Sequence, residues 1–287
     1  MTARLLTFFF AGLLFACTCG RLAYPACAPP QEGVNVIIPE AGGEHLRMET
    51  RNGPLNIWRP PDYDARRAGV VIYIHGYFTS VDQAWADDQL AVQFRESGLN
   101  ALFIAIEAPQ SNGRDVFWKS LGDLLRTVED RAPYPVPHGP LVVVGHSGAY
   151  RTILLWLSDP RVQHVILLDG LYTGEAEFAS WLRTQPHTEP HRMVLVASDT
   201  WRQSTRFSRH ISGTARRRSI PTRSSSFTRR EIQARLLYLR SQYTHNQILR
   251  NGKVIPVLLQ ISPIQDLTAT ESRPANKAPL TRTPLGH

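Results

Sequence analysis

The chain has 287 residues, 43% of them hydrophobic and 20% charged, which excludes a wholly disordered protein and allows one large α/β domain or two small ones. Its net charge of +8 points to a polyanion binder until the charge is located: Arg202, Arg206, Arg209, Arg216, Arg217, Arg218, Arg223, Arg229 and Arg230 fall in one stretch without an acid, and setting these nine aside from the 32 basic residues leaves 23 against 24 acids. The three cysteines, Cys17, Cys19 and Cys27, all lie near the N-terminus, so neither a disulfide nor a cysteine-held zinc staples the rest of the chain.

Residues 1–27 read as a secretory signal: Arg4 precedes an apolar run of about a dozen residues, too short for a confident transmembrane helix. Leu14-Phe15-Ala16-Cys17 resembles a bacterial lipoprotein box, and ordinary cleavage between Ala23 and Ala28 is the competing reading. Residues 28–52 follow as a linker, rich in Pro, Gly and Ala over Pro25–Gly43. From Gly53 the pattern is that of a folded domain. Gly53–Pro61 predicts an edge strand stopped by its proline pair. Gly69–Ile74 is a continuous apolar run, as in a strand buried on both faces of a parallel sheet, and it ends in His75-Gly76-Tyr77-Phe78. Helical spacing covers Trp85–Ser97, with Gly98 as its stop, and Asp115–Arg131, with Phe117 on the apolar side. Asn100–Ile106 between them is another buried strand.

The run Leu141–Val144 leads into Gly145-His146-Ser147-Gly148-Ala149 and then an amphipathic segment to Leu157. Strand, sharp turn, serine and helix make the shape of a nucleophile elbow, in which the residues packed around the serine have to be small. The usual G-x-S-x-G ends here in alanine, which is still small. Further along, Val162–Leu168 predicts a strand ending at Asp169-Gly170, Phe178–Arg183 a short helix, and Met193–Ala197 a strand followed by Asp199. The Arg-rich stretch, residues 201–230, reads as an insertion: a mobile lid, an anionic-surface patch, or a solvated or disordered loop. A helix at Arg229–Arg235, a strand at Leu236–Leu239, the turn Tyr243–Asn246 and a helix over Lys253–Ile261 complete the domain at residue 265. The polar stretch 266–287 reads as a disordered tail. Strands alternating with helices predict a mostly parallel sheet with helices on both faces.

The order His75-Gly76, Gly145-x-Ser147-x-Ala149 and a late His245 resembles the α/β-hydrolase family, in its serine-nucleophile branch and its exported bacterial members, over roughly Gly53–Pro263. Serine at the elbow argues against the family's dehalogenase and epoxide-opening branches, which carry aspartate there. The resemblance implies a serine esterase or lipase, less readily an amidase, working through an acyl-enzyme. Ser147 would be the nucleophile and His245 the base, with Asp169 or Asp199 orienting the histidine. The oxyanion hole would be the backbone N–H groups of Tyr77 and Gly148. Tyr77, Phe78, Trp85 and Tyr172 are candidates for the wall of an acyl pocket, and Arg151 for meeting an anionic substrate. No metal or organic cofactor is implied. The expected partner is a small-molecule or lipid-like ester met by a monomer outside the cytoplasm (periplasmic, extracellular or lipid-anchored). Nucleic acid is not expected, because the Arg-rich stretch holds only Phe207 and Phe227 for stacking. The rival reading is a non-catalytic surface module that binds an anionic polymer or lipid through that stretch.

Overall fold

The computed structural model describes residues 36–184 and 190–267. The expected signal segment (1–27) and the expected tail beyond Leu267 lie outside the described residues. In chain order, β1 (Val36–Glu40) and β2 (Gly43–Met48) form a hairpin, followed by β3 (Leu55–Arg59) and β4 (Gly69–Ile74). Helices α1 (Val81–Asp87) and α2 (Leu90–Ser97) lead to β5 (Ala101–Ile106), and α3 (Leu121–Arg131) to β6 (Leu141–His146). Then come α4 (Tyr150–Trp156), β7 (His164–Leu168), α5 (Glu175–Arg183) and β8 (Arg192–Ala197). The chain continues with α6 (Trp201–Arg209), β9 (Thr214–Arg217), α7 (Arg229–Ile232), β10 (Leu236–Arg240), α8 (Gln247–Arg250) and α9 (Val254–Leu259).

The ten strands make one sheet in the order β1-β2-β3-β5-β4-β6-β7-β8-β10-β9. It is antiparallel from β1 to β5 and parallel from β5 to β9. Every residue of β4, β5 and β6 is buried, which is why these stretches read as unbroken apolar runs: each face of the sheet is covered. Alternate residues feed two cores. Val70, Ile72 and Ile74 join Leu124, Ile153, Phe178 and Phe207 under α3 to α6 on one face. Val71 and Tyr73 join Trp85, Phe94, Ile248 and Leu258 under α1, α2, α8 and α9 on the other. The expected class, a mostly parallel sheet between two helical layers, is what the chain adopts.

Several boundaries differ from the sequence reading, each for a local reason. Most of the supposed linker is structured: residues 36–48 are the β1–β2 hairpin, closed by Ala41 and Gly42 at φ 49° and 77°, a two-residue turn whose twist suits a hairpin. The hairpin covers β3, so that strand lies inside the sheet and β1 is the edge instead. The helix expected over Trp85–Ser97 is two helices. Asp88 closes α1, its N–H bonding back to Ala84 O, and Gln89 takes φ 50°. Helix α3 starts six residues late because the Ser120 side chain caps it by accepting from Asp123 N–H; Phe117, expected on the buried side, is exposed. Much of the Arg-rich stretch is folded against the sheet rather than left as a loop. Helix α6 packs Phe207 on the sheet and β9 extends the sheet beside β10. Arg216 donates to Ser208 Oγ at 3.1 Å, and Arg217 pairs with Glu231 at 3.1 Å, so two of the arginines are tied into this unit rather than carried on a loose loop. The start of the supposed tail is bound too: Leu267 N–H donates to Gly98 O at 2.9 Å.

His164 opens β7 with its ring buried and neither nitrogen hydrogen-bonded among the described residues. Burial, then the charge of Arg192, holds it down to about 3, whereas an unfolded histidine takes up its proton near 6.5. Within that window the unfolded chain binds the extra proton. Stability contributed by the neutral ring is therefore complete above pH 6.5 and lost on acidification, by up to about 1.4 kcal/mol per pH unit. His164→Leu should flatten this part of the pH–stability curve in urea unfolding; an unchanged slope would show that the ring does not titrate on unfolding.

Candidate active site

The candidate catalytic residues Ser147, Asp169, Asp199 and His245 sit where parallel strands end and loops begin. Ser147 follows β6 directly, at φ 53°. A serine holds that left-handed conformation only where its surroundings over-determine it. A 3₁₀ turn, Ser147–Ala149, then runs into α4. The turn is crowded: a Cβ on Gly145 would stand 2.6 Å from Ile153 Cδ1 and 3.0 Å from Ala149 Cβ. The departure from glycine at position 149 is thus absorbed by the glycine at 145, which leaves room for the buried methyl. Gly148 is as constrained, since a Cβ there would fall 2.3 Å from Tyr77 Cε1. The Tyr77 ring therefore lies against the Gly148 backbone and joins the His75-Gly76 loop to the serine turn.

That loop is fixed from beneath. His75, fully buried, accepts Ala108 N–H on Nε2 at 2.9 Å, so Nδ1 carries the proton and donates to Gly76 O at 2.7 Å. Further along the loop, the Phe78 N–H is spent on Gln110 O at 3.0 Å.

Asp169 and Asp199, left open by the sequence, are separated by the structure. Asp169 ends β7 at φ 46° with its side chain fully buried. Its Oδ2 meets His245 Nδ1 at 2.7 Å and accepts Asp199 N–H at 3.0 Å. Its Oδ1 accepts Ser198 N–H, Thr200 N–H and Thr200 Oγ at 2.7–2.9 Å. Burial pushes this carboxyl up, but the hydrogen bonds from His245, Thr200 and Asp199 outweigh it and leave it well below the usual carboxylate range. Asp199 contributes its backbone to this cradle and keeps its carboxylate on the exposed side.

His245 is placed by a residue that the sequence reading passed over. His146, the residue before the serine, is buried, donates from Nε2 to the His245 carbonyl at 3.2 Å, and packs its ring 4.4 Å from the His245 ring. Burial, then the neighbouring His245, holds His146 down to about 3, so it is neutral and can share this space with a second imidazole. One grouping of potential metal ligands occurs among the described residues, Asp169, Asp199 and His245, with donor atoms within 4.8 Å. The Asp169 oxygens and His245 Nδ1 are spent on each other and on the surrounding N–H groups, the arrangement of an imidazole–carboxylate couple rather than of a cation's ligands.

Ser147, Gly148, His146 and His245 line one cavity of about 580 Å3, with Tyr77, Phe78, Tyr150 and Tyr172 around them. Burial raises the Tyr172 phenol, and a hydrogen bond with Ser147 works the other way. Phe78 stands at φ 64° with 89% of its surface exposed, an apolar ring held out at the rim. Trp85, an expected wall residue, and Arg151, the candidate for an anionic substrate, are not among the cavity's lining residues. Trp85 is buried beneath the sheet's other face, stacked on His45 and donating to the Glu40 carboxylate at 3.1 Å. Arg151 donates to Tyr77 Oη and Ser111 O at 3.3 Å, bracing the loop from outside the cavity. Tyr73, Asp88 and Arg250 line the cavity without having been singled out. The one signal for them was Tyr73, a phenol in an otherwise aliphatic buried strand.

No protein-family model matches the chain, and no curated protein matches it. Solved structures share its fold. The feruloyl esterase module from Clostridium thermocellum, in complex with sinapinate, aligns at 12% identity with a TM-score of 0.53, covering 79% of this chain and 94% of that one. A structure of FAE aligns at 13% identity with the same TM-score and the same coverage of each chain. At these identities the likeness is one of fold.

The contact between Tyr77 and Gly148 can be tested by itself. Gly148→Ala should cost about 1–3 kcal/mol of stability by overpacking. Most of that loss should vanish on a Tyr77→Ala background, read as a double-mutant cycle in denaturant unfolding. Additive losses would show that the ring does not occupy the space over Gly148.

Proposed function

This chain is an α/β-hydrolase by fold, and we propose that it is a serine hydrolase that cleaves carboxylic esters through an acyl-enzyme. The single observation that carries this reading is the serine in a left-handed turn lining one cavity with a histidine whose Nδ1 is bound to a buried carboxylate. A serine hydroxyl is a weak nucleophile near neutral pH and needs such a base. That the fold is shared with a feruloyl esterase module supports ester rather than other chemistry.

In this reading Ser147 Oγ attacks the ester carbonyl while His245 Nε2 takes its proton. Asp169 holds the ring with Nδ1 protonated and stabilises the imidazolium that forms. The negative charge on the tetrahedral oxygen is met by the N–H groups of Gly148 and Tyr77, each worth about 2.7–4 kcal/mol of barrier. Collapse breaks the bond to the alcohol, which leaves with the proton from His245 and an acyl group on Ser147. Water then adds by the same route, giving up its proton to His245, and returns the acid and free serine. Phe78, Tyr150 and Tyr172 shape the space for the apolar part of the substrate.

Ser147→Ala should abolish turnover of short 4-nitrophenyl esters and labelling by a fluorophosphonate probe; turnover equal to that of the unaltered protein would overturn the mechanism. Asp169→Asn should lower kcat by about 10^4-fold through the wrong histidine tautomer, with Asp199→Asn close to unaltered activity. The reverse order would move the acid to Asp199.

The N-terminal segment we read as an export leader. Mass spectrometry of the protein recovered from whole expressing cells and their medium should find a new N-terminus at Cys17, carrying lipid, or between Ala23 and Ala28; an intact Met1 would remove the export reading.

A further inference from the structure

The cavity continues past Ser147 to a polar end that the ester chemistry does not use, lined by Tyr73, Asp87, Asp88 and Arg250. Tyr73 lies on β4 two residues before His75 and on the same face of the strand. Its side chain is fully buried, and its hydroxyl has no hydrogen-bond partner among the described residues. Asp88 sits at the break between α1 and α2, 8% exposed. Its backbone is satisfied: the N–H bonds to Ala84 O, and the C=O accepts Gln93 Nε2 at 2.7 Å. Its carboxylate makes no hydrogen bond among the described residues and is met by an ion pair with Arg250, at 3.8 Å and itself largely exposed, which is beyond hydrogen-bond length. Burial lifts Asp88 to about 6, with Arg250 opposing and Asp87 adding to the rise, so it is anionic at neutral pH. Burial, then the charge of Asp88, raises the Tyr73 phenol, which places the two groups in each other's field.

Buried hydroxyls and carboxylates are ordinarily hydrogen-bonded, and one that lacks such a bond is costly to enclose further. A hydrocarbon chain reaching this end would cover Tyr73 and Asp88 without giving them a partner. A group carrying N–H or O–H would complete both. We propose that the Tyr73–Asp88 end is a specificity subsite for a hydrogen-bond-donating substituent, a hydroxyl or an ammonium, carried by the ester substrate away from its scissile bond. The proposal rests on the ester-hydrolase reading of Ser147 and names the class of ester.

The test has a binding arm and a turnover arm. In the binding arm, the methyl esters of hexanoic, 6-hydroxyhexanoic and 6-aminohexanoic acids are titrated by NMR into Ser147→Ala protein, which needs no catalysis. The two donor-ended esters should bind about 10-fold or more tighter than methyl hexanoate, which carries no donor, and Asp88→Asn and Tyr73→Phe should shrink that ratio. Arg250→Gln, a change at an exposed side chain, should enlarge the preference for the ammonium-ended ester by removing the competing cation. In the turnover arm, kcat/KM is compared for 4-nitrophenyl esters of straight-chain acids ending in methyl, hydroxyl or ammonium, with fluorophosphonate labelling of Ser147 on the same preparations. Labelled protein with no preference in either arm overturns the subsite and leaves the hydrolase standing. Unlabelled, inactive protein that still prefers the donor-ended esters in binding overturns the hydrolase and leaves the subsite. A preference for ammonium alone assigns recognition to the Asp88 charge, and an equal preference for hydroxyl assigns it to the pair.

Discussion

The buried carboxylate of Asp169 holds the site together. A charge taken out of water has to be met by donors, and here they come from two later parts of the chain: the N–H groups of Ser198, Asp199 and Thr200 after β8, and the ring of His245 after β10. One anion thus gathers the ends of three neighbouring strands. The order β7-β8-β10 in the sheet makes this feasible, because β10 is threaded next to β8 by way of α6, β9 and α7. The Arg-rich stretch therefore serves the site indirectly: it is the connection that lets β10 lie where His245 can reach Asp169.

The serine side is held by the same logic applied to backbone. Ser147 and Asp169 both adopt left-handed backbone at the ends of adjacent strands. Each is enforced by close neighbours: Gly145 and Ala149 around the serine, Thr200 and Asp199 around the acid. His146 links the two halves, since it belongs to the serine strand and binds the carbonyl of His245. Its neutrality is a requirement of the packing, because a charged ring would face His245 at 4.4 Å between centroids.

Much of this was legible in the sequence. The buried parallel strands announced themselves as unbroken apolar runs, and the elbow by its strand–serine–helix context. What was not legible has three physical sources. Composition misled where Pro and Gly surround a hairpin: Val36-Ile37-Ile38 is a strand signal that Pro39 and the glycines masked. Charge misled in the Arg-rich stretch, where alternating buried residues such as Phe207 and Ala215 carry the fold and the arginines are their solvent-facing complement. Finally, the choice between Asp169 and Asp199 depends on which of two nearby carboxylates turns inward. A sequence does not encode that locally; it emerges from three backbone N–H groups converging on one of them. The polar end of the cavity was hidden for the same reason, since Asp88 enters only because the helix breaks at Gln89.

The two edges of the sheet are finished differently, and the placement of the arginines acquires a sense from this. An open edge strand offers its unpaired backbone groups to any other strand, including that of a second copy. On the β1 side the margin is Val36-Ile37-Ile38, about half exposed, interrupted by a proline that cannot donate. On the β9 side it is Thr-Ala-Arg-Arg, flanked by further arginines. Two such edges approaching each other would bring like charges together along their length. The stretch whose charge stands out in the sequence thus forms the margin of the sheet, at the strand where the parallel half of the fold runs out.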